Sequence, residues 1–267
     1  MRAKGPLRPK GERLQNAQTG AVRNGSPMVF ALITGGSRGI GFAAAQLLGS
    51  QGFEIGVVGK SAESAETAAR LLQEQGISAM AYGCDVADFA QVSAMVDYFE
   101  ALKPIDVLVN SAGVMSDRLS KTVLTDDAEW HRVMSINLDG TFNTCNLVGK
   151  KMLERRSGRI INVSACLGRM SGPGTSGGLA PYRISKAAVN ALTKNMSSEM
   201  SDGKRGVFVD AMCPNHTRTD MGGPDAPRSA QEAADTIVWL ATRDLVDANN
   251  APVTTGKLWE DRDVIPW

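Results

Sequence analysis

The stretch PYRISKAAVN, residues 181–190, sets Tyr182 and Lys186 four positions apart, one turn along a single face wherever that stretch is helical. A free phenol has a pKa near ~10 and is a poor acid at neutral pH. An ammonium one turn away favours the phenolate and is expected to lower that value, which would make Tyr182 a general acid or base. The same two residues would serve equally well as an aromatic anchor and a solvated charge at the start of an ordinary helix. The pair alone does not choose between these roles.

A second group of residues has chemistry of its own. TGGSRGIG, residues 34–41, places Gly35, Gly39 and Gly41 where a first strand turns into a first helix, with Ser37, Arg38 and Ile40 between them. There the backbone can come close to an anion, which the free N–H groups of a new helix attract. The spacing is G-x3-G-x-G, different from the G-x-G-x-x-G of the general dinucleotide fingerprint. Enzymes that use NAD carry an acid at the end of the second strand for the ribose hydroxyls. This chain has Gly59 and Lys60 there, with Arg38 in the glycine turn. Two cations at one ribose suit a 2′-phosphate, so NADPH/NADP+ is the expected cofactor.

The elements that must position these residues follow from the apolar pattern. Strand-like runs at 29–35, 53–58, 78–84, 105–110, 159–165 and 206–213 alternate with helix-length segments at 39–50, 62–75, 88–102, roughly 126–155, from near Tyr182, and at 229–243. A seventh strand is expected at 255–260. Several strands are continuous apolar runs, which marks strands covered on both faces. Six βα units make an α/β fold, a doubly wound parallel sheet of the Rossmann type. With no linker and no break in the alternation, residues 28–267 read as a single domain.

Composition narrows the function classes. The 267 residues are 43% hydrophobic and 21% charged with a net charge of +1, which gives no reason to expect nucleic acid as a partner. No stretch approaches the ~18–20 apolar residues of a membrane span, so a cytoplasmic protein is expected. Cys84, Cys145, Cys166 and Cys213 lie far apart, and His131 and His216 are the two histidines, so neither a metal framework nor a disulfide scaffold is expected. Residues 1–27 hold Arg2, Lys4, Arg8, Lys10, Arg13 and Arg23 against Glu12. They read as a disordered basic leader or an extension ahead of a start at Met28, with a transit peptide as the minor alternative.

TGGSRGIG, CDV at 84–86, NSAG at 110–113, Asn137, NVSA at 162–165 and YRISK at 182–186 occur in an order that resembles the short-chain dehydrogenase/reductase family, with an end like its carbonyl-reductase-like bacterial branch. The resemblance implies a catalytic tetrad of Asn137, Ser164, Tyr182 and Lys186. Ser164 would hydrogen-bond the substrate carbonyl oxygen, Lys186 would also bind the nicotinamide ribose, and Asn137 would hold a proton-relaying water. It also implies cofactor contacts at Asp85, Val86, Asn110, Ala112, Gly113, Pro214, Asn215, Thr217 and Thr219.

Some positions depart from the family pattern. Ser111 stands where a second asparagine is common and Asn215 where a glycine is; asparagine tolerates the left-handed conformation, so that change is expected to be mild. His216 replaces a large aromatic and is either a substrate donor or a loop histidine. The short segment from Met221 to Arg228 implies an open pocket, which Met115, Met170 and Leu179 are candidates to line. The expected activity is reversible reduction of an aldehyde or ketone to an alcohol. A ketoreductase for a polyketide or other secondary metabolite and a non-catalytic NADPH sensor are the alternatives. The small-molecule substrate itself is not legible, and a homodimer, homotetramer or monomer all remain open.

Overall fold

The computed structural model describes residues 29–117 and 120–267, so the basic leader read at residues 1–27 lies outside the described residues. Eight strands form one sheet in the order β3-β2-β1-β4-β5-β6-β7-β8. They are β1 (Phe30–Thr34), β2 (Glu54–Gly59), β3 (Ala79–Gly83), β4 (Val107–Asn110), β5 (Gly158–Val163), β6 (Val207–Met212), β7 (Leu258–Glu260) and β8 (Asp263–Ile265). All pairs are parallel except β7 with β8. The reversal of strand order beside β1 opens a crevice at the carboxyl ends of β1 and β4, where ligands bind in such sheets.

The helices cover both faces. They are α1 (Gly39–Ser50), α2 (Ala62–Gln73), α3 (Phe89–Leu102), α4 (Asp127–Met134), α5 (Gly140–Arg155), α6 (Ala180–Glu199) and α7 (Ala230–Thr242). One apolar layer joins α1, α2 and α7 to the sheet through Leu48, Leu72 and Ile237. The other joins α3, α5 and α6 through Phe99, Met152 and Met196. Side-chain caps begin several helices: Ser61 for α2, Asp88 for α3, Asp126 for α4, and a reciprocal Ser229–Glu232 box for α7. The α/β single-domain reading holds.

Two features differ from the sequence reading. The helix expected over 126–155 is interrupted by a π-helical turn at Ser135–Asp139, which separates α4 from α5. The chain also adds β8, antiparallel to β7, across the tight turn Asp261–Arg262. Both residues have positive φ, 50° and 69°, as a two-residue hairpin of this hand requires. Asp261 is tied to Arg228 at 2.6 Å, and Arg262 forms a two-pronged contact with Asp235 at 2.8 and 2.7 Å.

The edge of the sheet formed by β6 and β7 is locked by a buried carboxylate. Asp210, in the middle of β6, accepts from Trp259 Nε1 at 2.9 Å, Arg243 Nη2 at 2.8 Å, Thr255 Oγ1 at 3.2 Å and the Lys257 amide at 3.2 Å. The Arg243 guanidinium lies 4.9 and 4.8 Å from the ring centres of Trp239 and Trp259. Burial pushes the Asp210 carboxyl up and the Arg243 guanidinium down, so each ion depends on the other and on its hydrogen bonds. Asp210→Ala leaves a half-buried guanidinium without its counter-ion and is expected to destabilise the fold by roughly 3–5 kcal/mol, read as a lower urea midpoint. A midpoint unchanged from the parent protein would show that the cluster does not hold β6 to β7.

Candidate active site

The site begins where β1 ends. The main chain turns through Gly35 and Gly39, both left-handed with φ of 63° and 57°. A Cβ on Gly41 would stand 2.4 Å from the Gly35 carbonyl oxygen, and one on Gly35 would stand 2.7 Å from the Ala112 amide nitrogen. The turn closes this tightly against β4 only because these positions lack side chains. Unlike the helices capped by Ser61, Asp88, Asp126 and Ser229, α1 has no side-chain hydrogen bond at its start. Its first N–H groups are left for another acceptor, which fits a pyrophosphate.

From this turn a cleft of about 540 Å³ runs across the ends of the strands. Gly35, Ser37, Arg38, Gly39 and Ile40 line one end, and Ser164, Tyr182 and Lys186 the other. Lys60, Asp85, Val86, Ala112, Gly113, Pro214 and Thr219 line the same cleft. The position after β2 carries no acid, and both expected cations reach the cleft. Arg38 spans to Asp220 at 2.6 Å and Lys60 pairs with Asp85 at 3.2 Å.

Besides Gly41, which packs beneath the turn against Gly35, four further positions do not line the cleft. Asn110 is buried beneath it, donating to Asn162 Oδ1 at 2.9 Å and accepting from Thr144 at 2.7 Å. Asn137, in the π-helical turn, spends its amide on the Val114 backbone at 2.8 and 3.0 Å and on Ser185 at 3.0 Å. It straps the loop after β4 to α6. Asn215 takes the left-handed conformation, φ 58°, as expected for a residue at a glycine position. Thr217 is buried, with its hydroxyl donating to the Pro214 carbonyl at 3.0 Å.

The pocket candidates divide in the same way. Met115 and Leu179 pack around Tyr182 with Val133 and Ala165, whereas Met170 is 77% exposed. His216 contacts the Gly222 carbonyl at 2.8 Å, a loop tether. The short loop is strapped by Arg218, which donates to the carbonyls of Ala226 and Pro227 at 2.8 Å each.

Along α6, Tyr182 and Lys186 share the face turned to β5, and both are buried. The Lys186 ammonium donates to the Val163 carbonyl at 2.8 Å and stands 6.0 Å from the Tyr182 ring centre. Ser164 directly follows Val163. Contrary to the expected lowering by Lys186, burial pushes the Tyr182 hydroxyl above its ordinary value. At this depth the loss of hydration of a phenolate outweighs the nearby cation. Burial likewise brings Lys186 down to about 8.

Residues 29–229 match the family described as short chain dehydrogenase. The chain belongs to that family. Among its relatives is the 3-oxoacyl-(acyl-carrier-protein) reductase of Chlamydia trachomatis, 36% identical over 193 residues, which cover 72% of this chain and 75% of the relative. The Staphylococcus aureus reductase of the same name is also 36% identical over the same shares. A gluconate 5-dehydrogenase from Burkholderia cenocepacia, solved with NADP and tartrate, is 30% identical with a TM-score of 0.75, covering 86% of this chain and 92% of that one.

As a short-chain dehydrogenase the protein is a nicotinamide-dependent oxidoreductase. Among the residues lining the cleft that sequence reasoning did not assign to it are Phe42, Gln46, Ile136, Arg218, Asp220 and Gln231. Asp220 is brought to the cleft by its 2.6 Å contact with Arg38, a pairing across 182 positions of sequence. Gly113 offers a test that separates folding from binding. A Cβ there meets Asn137 Oδ1 at 3.3 Å and Lys186 Nζ at 3.5 Å, so Gly113→Ala is expected to fold with little change in melting temperature. The methyl narrows the cleft, and nicotinamide cofactor affinity is expected to fall about tenfold, measured by fluorescence titration. Unchanged affinity would remove Gly113 from the binding surface. Gly41→Ala, against backbone, is expected to fail at folding instead.

Proposed function

We propose that this protein reduces an aldehyde or ketone to an alcohol with NADPH, with Tyr182 as the proton donor. The observation that carries the reading is the convergence of Ser164, Tyr182 and Lys186 at one end of a cleft whose other end is an uncapped, glycine-walled helix start. When bound, NADPH supplies the hydride taken up by the carbonyl carbon. The phosphate end would rest on Gly35, Ser37, Gly39, Ile40 and the start of α1, with Arg38 and Lys60 at the 2′-phosphate. Gly113 and Lys186 would border the nicotinamide ribose.

The protein's own residues handle the proton. Raised by burial, the Tyr182 phenol stays neutral at physiological pH and can donate a hydrogen bond to the carbonyl oxygen. As that oxygen gains alkoxide character it becomes more basic than the phenolate, and the proton transfers. Ser164 holds the same oxygen from the strand side. The Lys186 ammonium, already bound to the Val163 carbonyl, stabilises the phenolate left behind. Asn137 acts at one remove, keeping Ser185 and the Val114 loop in register with α6.

A ketoreductase acting on 3-oxoacyl chains is the second reading, favoured by the activity named for the relatives that share 36% identity. NADPH and NADH consumption against a panel of simple ketones, aldehydes and 3-oxoacyl thioesters distinguishes the two. Turnover is expected to favour NADPH, and Tyr182→Phe is expected to lower kcat by about 10²–10⁴-fold while NADPH binding is kept. Normal binding with no turnover, unaltered by that substitution, would leave a cofactor-binding protein and sink the enzyme.

The pH profile is a separate measurement. The ammonium form of Lys186 is the one that supports proton donation, and burial holds its pKa at about 8. The rate of carbonyl reduction is expected to be level below that value and to fall as pH rises through it. A rate that climbs between pH 7 and 9 would contradict a charged Lys186.

A further inference from the structure

Ser164 has one proton and two acceptors, both on α6. Its Oγ lies 2.5 Å from Asn190 Oδ1 and 3.3 Å from the Lys186 carbonyl oxygen. Ser164 and Asn190 are both buried. The orientation of the Asn190 amide is not free: its Nδ2 donates to the Gly168 carbonyl at 3.1 Å, so a flipped amide would set oxygen against oxygen. Gly168 itself packs tightly on α6, where a Cβ would stand 2.7 Å from the Lys186 carbonyl carbon. A chain of fixed contacts therefore runs from the turn after β5, through the Asn190 amide, to the Ser164 hydroxyl.

We propose that Asn190 is a positioning residue of this site, its amide fixing the side-chain rotamer of Ser164 and holding the serine's proton until the substrate takes its place. The role rests on the reductase reading for its effect on rate, but not for the contact itself. Tyr182, Lys186 and Asn190 follow one another at intervals of four along α6, so one helix face carries the proton donor, its cation and the group that aims the serine. With Asn190 in place, Oγ stays at one point on the cleft wall, and donation to a carbonyl oxygen needs only rotation about the Cβ–Oγ bond. Without it, Oγ is released to other rotamers, and the geometry at the reacting oxygen loosens.

The test is a double-mutant cycle on the full chain with Ser164→Ala and Asn190→Ala, read by urea unfolding and by kinetics. In unfolding, Asn190→Ala is expected to lower the folding constant at least threefold more when Ser164 is present than when it is alanine. In kinetics, Asn190→Ala is expected to lower kcat about tenfold, with KM and NADPH affinity within twofold. The same change is expected to be silent in the Ser164→Ala background. Equal losses in both backgrounds, or an Asn190→Ala variant with unchanged kcat, would overturn the proposal. Should the parent protein bind NADPH yet turn over no carbonyl compound, the reductase reading fails, and the unfolding cycle alone decides whether Asn190 holds Ser164.

Discussion

The contact between α6 and the end of β5 is the constraint on which the chemistry depends. Lys186 brings an ammonium into the interior, where it is costly, and the Val163 carbonyl is its hydrogen-bond partner. That bond fixes the helix in rotation and along its axis, and with it every side chain on the same face. Below the site, Asn162 on β5 donates to Thr193 on α6 at 2.9 Å, so the face is anchored on both sides of Ser164. Asn110 donates to Asn162 in turn, which carries the anchoring across to β4 and the central strands. Asn110, Thr144, Asn162 and Thr193 form one connected set of buried hydrogen bonds, the condition under which buried polarity specifies geometry.

That burial has an electrostatic consequence for how the site works. A phenol raised by desolvation and an amine lowered by it are both drawn towards their neutral forms. Such a pair is poorly suited to waiting as phenolate and ammonium, and well suited to a phenol that keeps its proton until a stronger base forms beside it. In the proposed reduction, the carbonyl oxygen would become that base only as hydride arrives. The driving force for proton transfer is thereby tied to the reaction coordinate instead of being present in the resting protein.

Much of this was legible in the residues, and the exceptions have physical causes. Continuous apolar strands and the glycine turn identified the sheet and the cofactor end, because burial on both faces and close backbone approach each leave a compositional mark. The direction of the Tyr182 shift was misjudged because spacing reports the nearest cation but not depth, and depth dominates here. The β7–β8 hairpin escaped notice because Asp261–Arg262 is not a glycine turn; its left-handed residues are accompanied by ion pairs to Arg228 and Asp235, distant in sequence. The π-helical turn at Asn137 leaves the apolar pattern almost unchanged. Asn190 was passed over because a polar residue one turn beyond Lys186 looks like any helix surface position until Gly168 is seen packed against it.

The mouth of the cleft obeys a different balance from its floor. Arg38 and Asp220 are each about three-quarters exposed, as is Lys60, so these ion pairs are bathed in water and are worth roughly 0–1 kcal/mol. A phosphate dianion offers the two cations more charge and several acceptor oxygens, so displacing Asp220 and Asp85 costs little against what is formed. The acids keep the cations extended over the cleft and shield them from other anions without competing strongly for them. Weak, solvated pairs at the entrance and a strong, dry contact at α6 thus divide the work. On the proposed reading, cofactor preference would respond to salt and to single surface substitutions, while the geometry at the reacting oxygen would be set by the folded core.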